Sequence, residues 1–115
     1  GHSSAASDVY KRQIKNNPPV VHPVIRTHPI TKRKAIFVNP LFTTKINELS
    51  KSESDALLEF LYSYSITPEF TCRFSWTPNS IAIWDNRCTL HKPINDYFPE
   101  HRLLERITVD GDEPF

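Results

Sequence analysis

The chain has 115 residues and a mass of 13.3 kDa, and its 14 basic and 13 acidic side chains leave a net charge of +1, so nothing in it demands nucleic acid or an acidic membrane surface. No apolar run approaches the length of a membrane span and no signal peptide is visible, so a cytoplasmic protein is expected. Gly is scarce (2) and Pro abundant (10), so Pro, Asn and Asp must supply most turns, a balance that suits short strands joined by stiff corners.

Taken in chain order, residues 1–13 (GHSSAASDVYKRQ) bring no periodic apolar face and read as a leader foreign to the fold, similar to a translated sequencing adaptor, with an ordinary disordered leader as the alternative. The sequence contains no Met and begins on Gly1, so a fragment is expected, with residues 14–115 forming the C-terminal portion of one domain. Val20 to Pro29 is extended but interrupted by Pro, which places it at a sheet edge. Ile30 to Lys34 is a basic turn, and Ala35 to Val38 a short apolar strand stopped by Asn39-Pro40.

Ser50-Lys51-Ser52-Glu53 is a capping box, since each end of it can satisfy a backbone amide of the other. Leu57, Phe60, Leu61 and Tyr64 recur at helical spacing, which predicts a helix over about 51–65 that packs these aromatics into a core. Thr67-Pro68 ends it. Phe70, Cys72, Phe74 and Trp76 alternate with polar residues as a half-buried strand does. A turn at Thr77 to Ser80 leads to a second strand, Ile81 to Trp84. Periodicity thus predicts a mostly β chain with one helix.

The chemistry gathers in Trp84 to Thr108, WDNRCTLHKPINDYFPEHRLLERIT. His91 is a good ligand type for iron or zinc. Arg102 and Arg106 can each grip a carboxylate or sulfonate with two hydrogen bonds. Their spacing of four puts them on one face of either a strand or a helix, and β-branched residues after Arg106 favour strand. Two cations on one face repel unless anions come between them, so anionic ligands are expected. By spacing alone, a His followed by two Arg is more often ordinary surface chemistry than a site.

The wording around these residues adds to that. Trp84-Asp85-Asn86-Arg87, Thr89-Leu90-His91, Asp96-Tyr97, His101-Arg102, Arg106-Ile107-Thr108 and Gly111-Asp112, in this order, resemble the C-terminal end of the taurine dioxygenase family. These are Fe(II)- and 2-oxoglutarate-dependent oxygenases that include alkylsulfatases and aryloxyalkanoate dioxygenases. The resemblance runs from about Val21 to Phe115. It implies a double-stranded β-helix, or jelly roll. It also implies an enzyme of sulfur metabolism that uses Fe(II), 2-oxoglutarate and dioxygen to hydroxylate taurine or a similar sulfonate, releasing sulfite, aldehyde, succinate and CO2.

On the same resemblance His91 is the distal His ligand of the iron, Arg102 holds the cosubstrate carboxylate and Arg106 the sulfonate. Phe42, in VNPLFTTKI, matches an aromatic that packs on the substrate, with an ordinary core Phe as the alternative. The family pattern also needs an H-x-D motif, and none of the five His here begins one. The segment by itself is therefore expected to be inactive. Oxidation of alkylsulfates or aryloxyalkanoates is a second reading, and a non-catalytic jelly roll that binds a small anion is a third. A homo-oligomer stays open.

The other candidates are weaker. His22 and His28 sit beside Pro on an edge and are expected to be solvated, and His101 to point outward. A zinc site from Cys72, Cys88 and a His lacks paired spacing, and two Cys without secretory context are expected as separate thiols. Asp85 and Asn86 read as turn residues that orient the approach to His91, and Arg87 as an ion-pair partner.

Overall fold

The computed structural model describes residues 19–115; the leader at 1–13 lies outside these. Extended residues after the Pro-rich entry form β1 (Ile25–Thr27), which pairs antiparallel with β2 (Lys34–Ile36) in the register Ile25–Ile36, Arg26–Ala35 and Thr27–Lys34. The ladder runs past both strands: the Phe37 amide donates to the Val24 carbonyl (2.7 Å) and the His28 amide to the Arg33 carbonyl (2.8 Å). The basic turn is thus a hairpin loop, and in it Lys32 takes the left-handed conformation (φ 61°), unusual for a residue with a Cβ. On the free side of β1 the Thr27 amide donates to the Phe115 carbonyl (2.7 Å).

Side chains alternate across β1, and Arg26 and His28 turn inward while Ile25 stays exposed. Burial of Arg26 is offset by the Phe37 ring, whose centroid lies 4.8 Å from the guanidinium carbon. Its Nε has no hydrogen-bond partner among the described residues. His22 remains exposed, with its ring 5.8 Å from that of Phe37. His28, by contrast, is 8% exposed, which corrects the solvated reading. The flanking prolines do mark an edge, but the pleat aims the imidazole to the inner side.

After β2 the chain loops through Asn39, which organises the next turn. Its side-chain oxygen accepts from the Leu41 amide (2.8 Å), its carbonyl from the Thr43 amide (2.8 Å), and its own amide donates to Thr43 Oγ1 (2.8 Å). Helix α1 (Lys51–Ser65) follows, with the capping box in place: the Glu53 amide donates to Ser50 Oγ and the Ser50 amide to Glu53 Oε1. Ser54, 2% exposed, docks the helix by accepting from the Ile46 amide (2.8 Å). At the other end Thr67 Oγ1 donates to the Tyr64 carbonyl (2.7 Å), and Pro68 opens a single 3₁₀ turn, Pro68–Phe70.

The helix matches its predicted span, but its buried face is rotated. The core among the described residues is Val38, Ile46 and Leu58, with Val24, Ile36, Leu49, Leu61 and Tyr62 packed against it. Leu57, Phe60 and Tyr64 are exposed, contrary to their expected place in a core. The Ser54–Ile46 bond fixes which side of α1 meets the 36–49 segment, and the aromatic stripe lies round the helix from it. Phe60 instead stacks on Tyr64, with centroids 6.0 Å apart, and Phe70 tilts against Tyr64 at 5.3 Å.

The second correction concerns the β content. Strand geometry among the described residues is confined to β1 and β2, and residues 71–110 contain turns and extended chain. The turn at Thr77 to Ser80 is present, with the Ser80 amide on the Thr77 carbonyl (3.1 Å) and Ser80 Oγ on the Thr77 amide. Its arms do not pair. Alternation is still visible, since Phe74 and Trp76 contact edge to face at 5.0 Å. A strand, however, needs a neighbour for its amides and carbonyls, and these segments find none among the described residues.

Candidate functional site

Asp85 organises the segment that carries His91. As an Asx turn does, its Oδ1 accepts the Arg87 amide (2.9 Å), while its main-chain carbonyl accepts the amides of Cys88 (3.2 Å) and Thr89 (3.1 Å) and the Thr89 hydroxyl (2.6 Å). Arg87 closes over the same carboxylate with a two-pronged grip, Nε on Oδ1 and Nη2 on Oδ2, both at 2.9 Å. The turn and ion-pair readings of these residues therefore stand.

His28 completes the arrangement, its Nε2 lying 3.0 Å from Asp85 Oδ2. Its Nδ1 accepts the amides of Ile30 and Thr31, each at 3.2 Å. A nitrogen that accepts two N–H groups carries no hydrogen, so Nε2 is the donor to Asp85. These bonds act on the carboxyl's titration. The Arg87 side chain first, then His28, then the Arg87 amide, hold Asp85 far below its ordinary 3.8. Reciprocally, the Asp85 carboxylate raises the Arg87 guanidinium.

His28, Asp85 and Cys88 place donor atoms within 4.8 Å of one another, a grouping that could suggest a cation. The hydrogen bonds argue otherwise. Each Asp85 oxygen already accepts two donors, which fills the four lone-pair positions of a carboxylate. The arrangement is a closed ion pair with a histidine strut. Sequence reasoning missed His28, though one signal was available: an inward-facing His on β1 requires an acceptor, and Asp85 is the acidic residue that interrupts the apolar run Ile81 to Trp84.

The four site residues expected from the sequence lie as follows. His91 is exposed, and its ring packs against the Trp84 indole with centroids 4.7 Å apart at 42°. The indole N–H is itself tied to Asn86 Oδ1 (2.9 Å). Arg102 is partly buried, its guanidinium 4.3 Å from the centre of the Tyr97 ring. Arg106 is exposed, and Phe42, held out by the Asn39 turn, is 79% exposed. No hydrogen bond or ion pair of His91, Arg102 or Arg106 occurs among the described residues, so the imidazole nitrogens and both guanidinium forks are unengaged there. The thiols of Cys72 and Cys88 are free. Among the described residues no helix is long and apolar enough to cross a membrane.

Comparison with known proteins gives this geometry its context. Residues 3–108 match the family described as taurine catabolism dioxygenase TauD, TfdA family. The chain belongs to that family. An alpha-ketoglutarate-dependent sulfonate dioxygenase of Saccharomyces cerevisiae is 41% identical over 105 residues, covering 88% of this chain and 26% of the relative. An alkylsulfatase of Acinetobacter baylyi is 37% identical over 91 residues, 79% of this chain and 28% of the relative. An alpha-ketoglutarate-dependent sulfate ester dioxygenase of Pseudomonas putida is 36% identical over 93 residues, 81% of this chain and 31% of the relative. The chain thus spans about a quarter to a third of the length of these TauD-family relatives.

Proposed function

We propose that this TauD-family segment is the C-terminal part of a non-haem Fe(II)- and 2-oxoglutarate-dependent dioxygenase whose substrate is a sulfonate such as taurine. The observation that carries the reading is the family match across His91, Arg102 and Arg106, three side chains that make no hydrogen bond or ion pair among the described residues. In the complete jelly roll, residues 71–84 and 106–109 become strands by pairing with the rest of a longer domain.

The residues present fit the groups that such an enzyme uses. His91 offers an imidazole nitrogen for one iron position, and the remaining His and carboxylate come from outside these 115 residues. When bound, the iron couples decarboxylation of 2-oxoglutarate to oxidation of the substrate. Arg102 grips the distal carboxylate of 2-oxoglutarate, and the Tyr97 ring beneath its guanidinium limits the orientations of the fork. Arg106 takes the sulfonate, and Phe42 covers the substrate's carbon chain. Because both cations are countered by ligands, the site is complete only when both anions are present.

The test is anaerobic titration of the full-length protein with Fe(II) and 2-oxoglutarate, followed under air by assay for sulfite release from taurine and sulfate release from an alkyl sulfate. A charge-transfer band with both additions and sulfite from taurine are expected. Sulfate release from an alkyl sulfate, without sulfite from taurine, would move the assignment to the alkylsulfatase branch, to which the Acinetobacter baylyi relative gives support. Neither band nor product would leave a domain that only binds anions. The 115-residue chain alone should give no band, since one His cannot hold the iron against water.

A further inference from the structure

Trp84 and His91 form a ring contact on an exposed segment, and a separate network stands immediately behind it. Trp84 is joined to Asp85, and Asp85 is bonded to His28, 57 residues earlier in the chain. We propose that His28 is a positioning residue for His91, acting through Asp85 to set the Trp84 indole against the imidazole. Its bearing on catalysis rests on the reading of His91 as an iron ligand, but its geometry does not.

Three rigid connections link His28 to the Trp84 indole. The His28 ring is fixed within the hairpin loop because Nδ1 accepts the Ile30 and Thr31 amides, and burial leaves the ring no solvent alternative. Its Nε2–H therefore points in a direction set by the β1–β2 backbone. Asp85 meets that hydrogen with one oxygen and caps its own turn with the other, so the turn is referenced to the hairpin. The Trp84 indole is held in turn by Asn86. His91 has no hydrogen bond of its own among the described residues, so ring packing is what orients it. A ligand imidazole needs such outer support to present its nitrogen reproducibly.

Two substitutions separate the two jobs of His28. In His28→Asn the side-chain oxygen stands near the place of Nδ1 and can still accept the loop amides, but the side chain is too short for Asp85. In His28→Gln the amide nitrogen reaches toward the place of Nε2 and can still donate to Asp85. The experiment is NMR of the ¹³C,¹⁵N-labelled 115-residue chain, reading the His91 ring protons, their Overhauser contacts to the Trp84 indole, and the Leu58 methyls as a control for the core.

In the unsubstituted chain the His91 ring protons should lie upfield of exposed-peptide positions and show contacts to Trp84. His28→Asn should lose both features with the Leu58 methyls unmoved, and His28→Gln should recover them. Absence of the contacts in the unsubstituted chain would overturn the proposal without any variant. So would a His28→Asn spectrum with the contacts intact, or equal loss in both variants. Should His28→Asn move the Leu58 methyls as well, Asp85→Ala decides: it removes the acceptor of the His28 N–H, and retained contacts there reject the proposal. The iron reading fails separately, through the titration of the full-length protein.

Discussion

The Asp85 carboxylate accepts four hydrogen bonds from two directions, so removing its charge disturbs a turn and a long-range strut together. Its carboxyl titrates below the ordinary value in the folded chain. The stabilisation it gives is therefore fully present above the ordinary carboxylate range and is lost as pH falls through that range toward the folded value. Denaturation followed at a series of pH values should show the acid loss, and Asp85→Asn should flatten it. The two arginines make a different prediction, tied to their proposed ligands. In the full-length protein Arg102→Gln should raise KM for 2-oxoglutarate, whereas Arg106→Gln should weaken the sulfonate and spare the slow decarboxylation that occurs without it. A lost hydrogen bond to a charged group costs about 1.5–3 kcal/mol, roughly ten- to hundredfold on the affected ligand. Steady-state kinetics with each ligand varied in turn checks it, and a Lys at either position should rescue poorly because it lacks the planar fork. At this scale the sequence exposed residue types and spacings well. It read Asp85 and Arg87 correctly from turn chemistry and charge, and it misread His28 because the direction of a side chain at a Pro-flanked edge depends on the pleat.

The elements whose signals are local are those that a reader of the sequence can find. The capping box at Ser50 and Glu53 requires only residues three apart, and α1 begins and ends where those residues and Thr67-Pro68 place it. Its orientation is not local. Ser54 buries its hydroxyl on the Ile46 amide, a polar anchor that no apolar periodicity reports, and it turns Leu58 rather than Leu57 to the core. Ser54→Ala should strand a buried amide and cost about 1–3 kcal/mol, more than the roughly 0.5–2 kcal/mol expected for loss of the cap in Ser50→Ala. Urea titrations followed by circular dichroism would rank the two, and a larger loss at Ser50 would show that the anchor is dispensable. The arms around Thr77 to Ser80 carry the alternation of strands, but pairing is a property of two segments, and neither arm is paired among the described residues.

Across the molecule, the described residues bury three apolar side chains and expose Ile81, Ile83, Leu103, Ile107 and Val109. Such faces are too sticky to be left in water in a working protein, which agrees with a segment about a quarter to a third as long as its relatives. Hydrogen exchange should therefore find amides 71–76 and 81–84 unprotected in the 115-residue chain and protected in the full-length protein; slow exchange in the short chain would mean that these arms pair on their own. The bond from the Thr27 amide to the Phe115 carbonyl joins β1 to the far end of the chain, and with the His28–Asp85 bond it makes the hairpin a hub for segments remote in sequence. Contacts of such long separation must wait for the intervening chain to be gathered in. Synthesis order thus sets a schedule: the hairpin and α1 can form early on the ribosome, while β1 keeps an open edge until Phe115 has emerged.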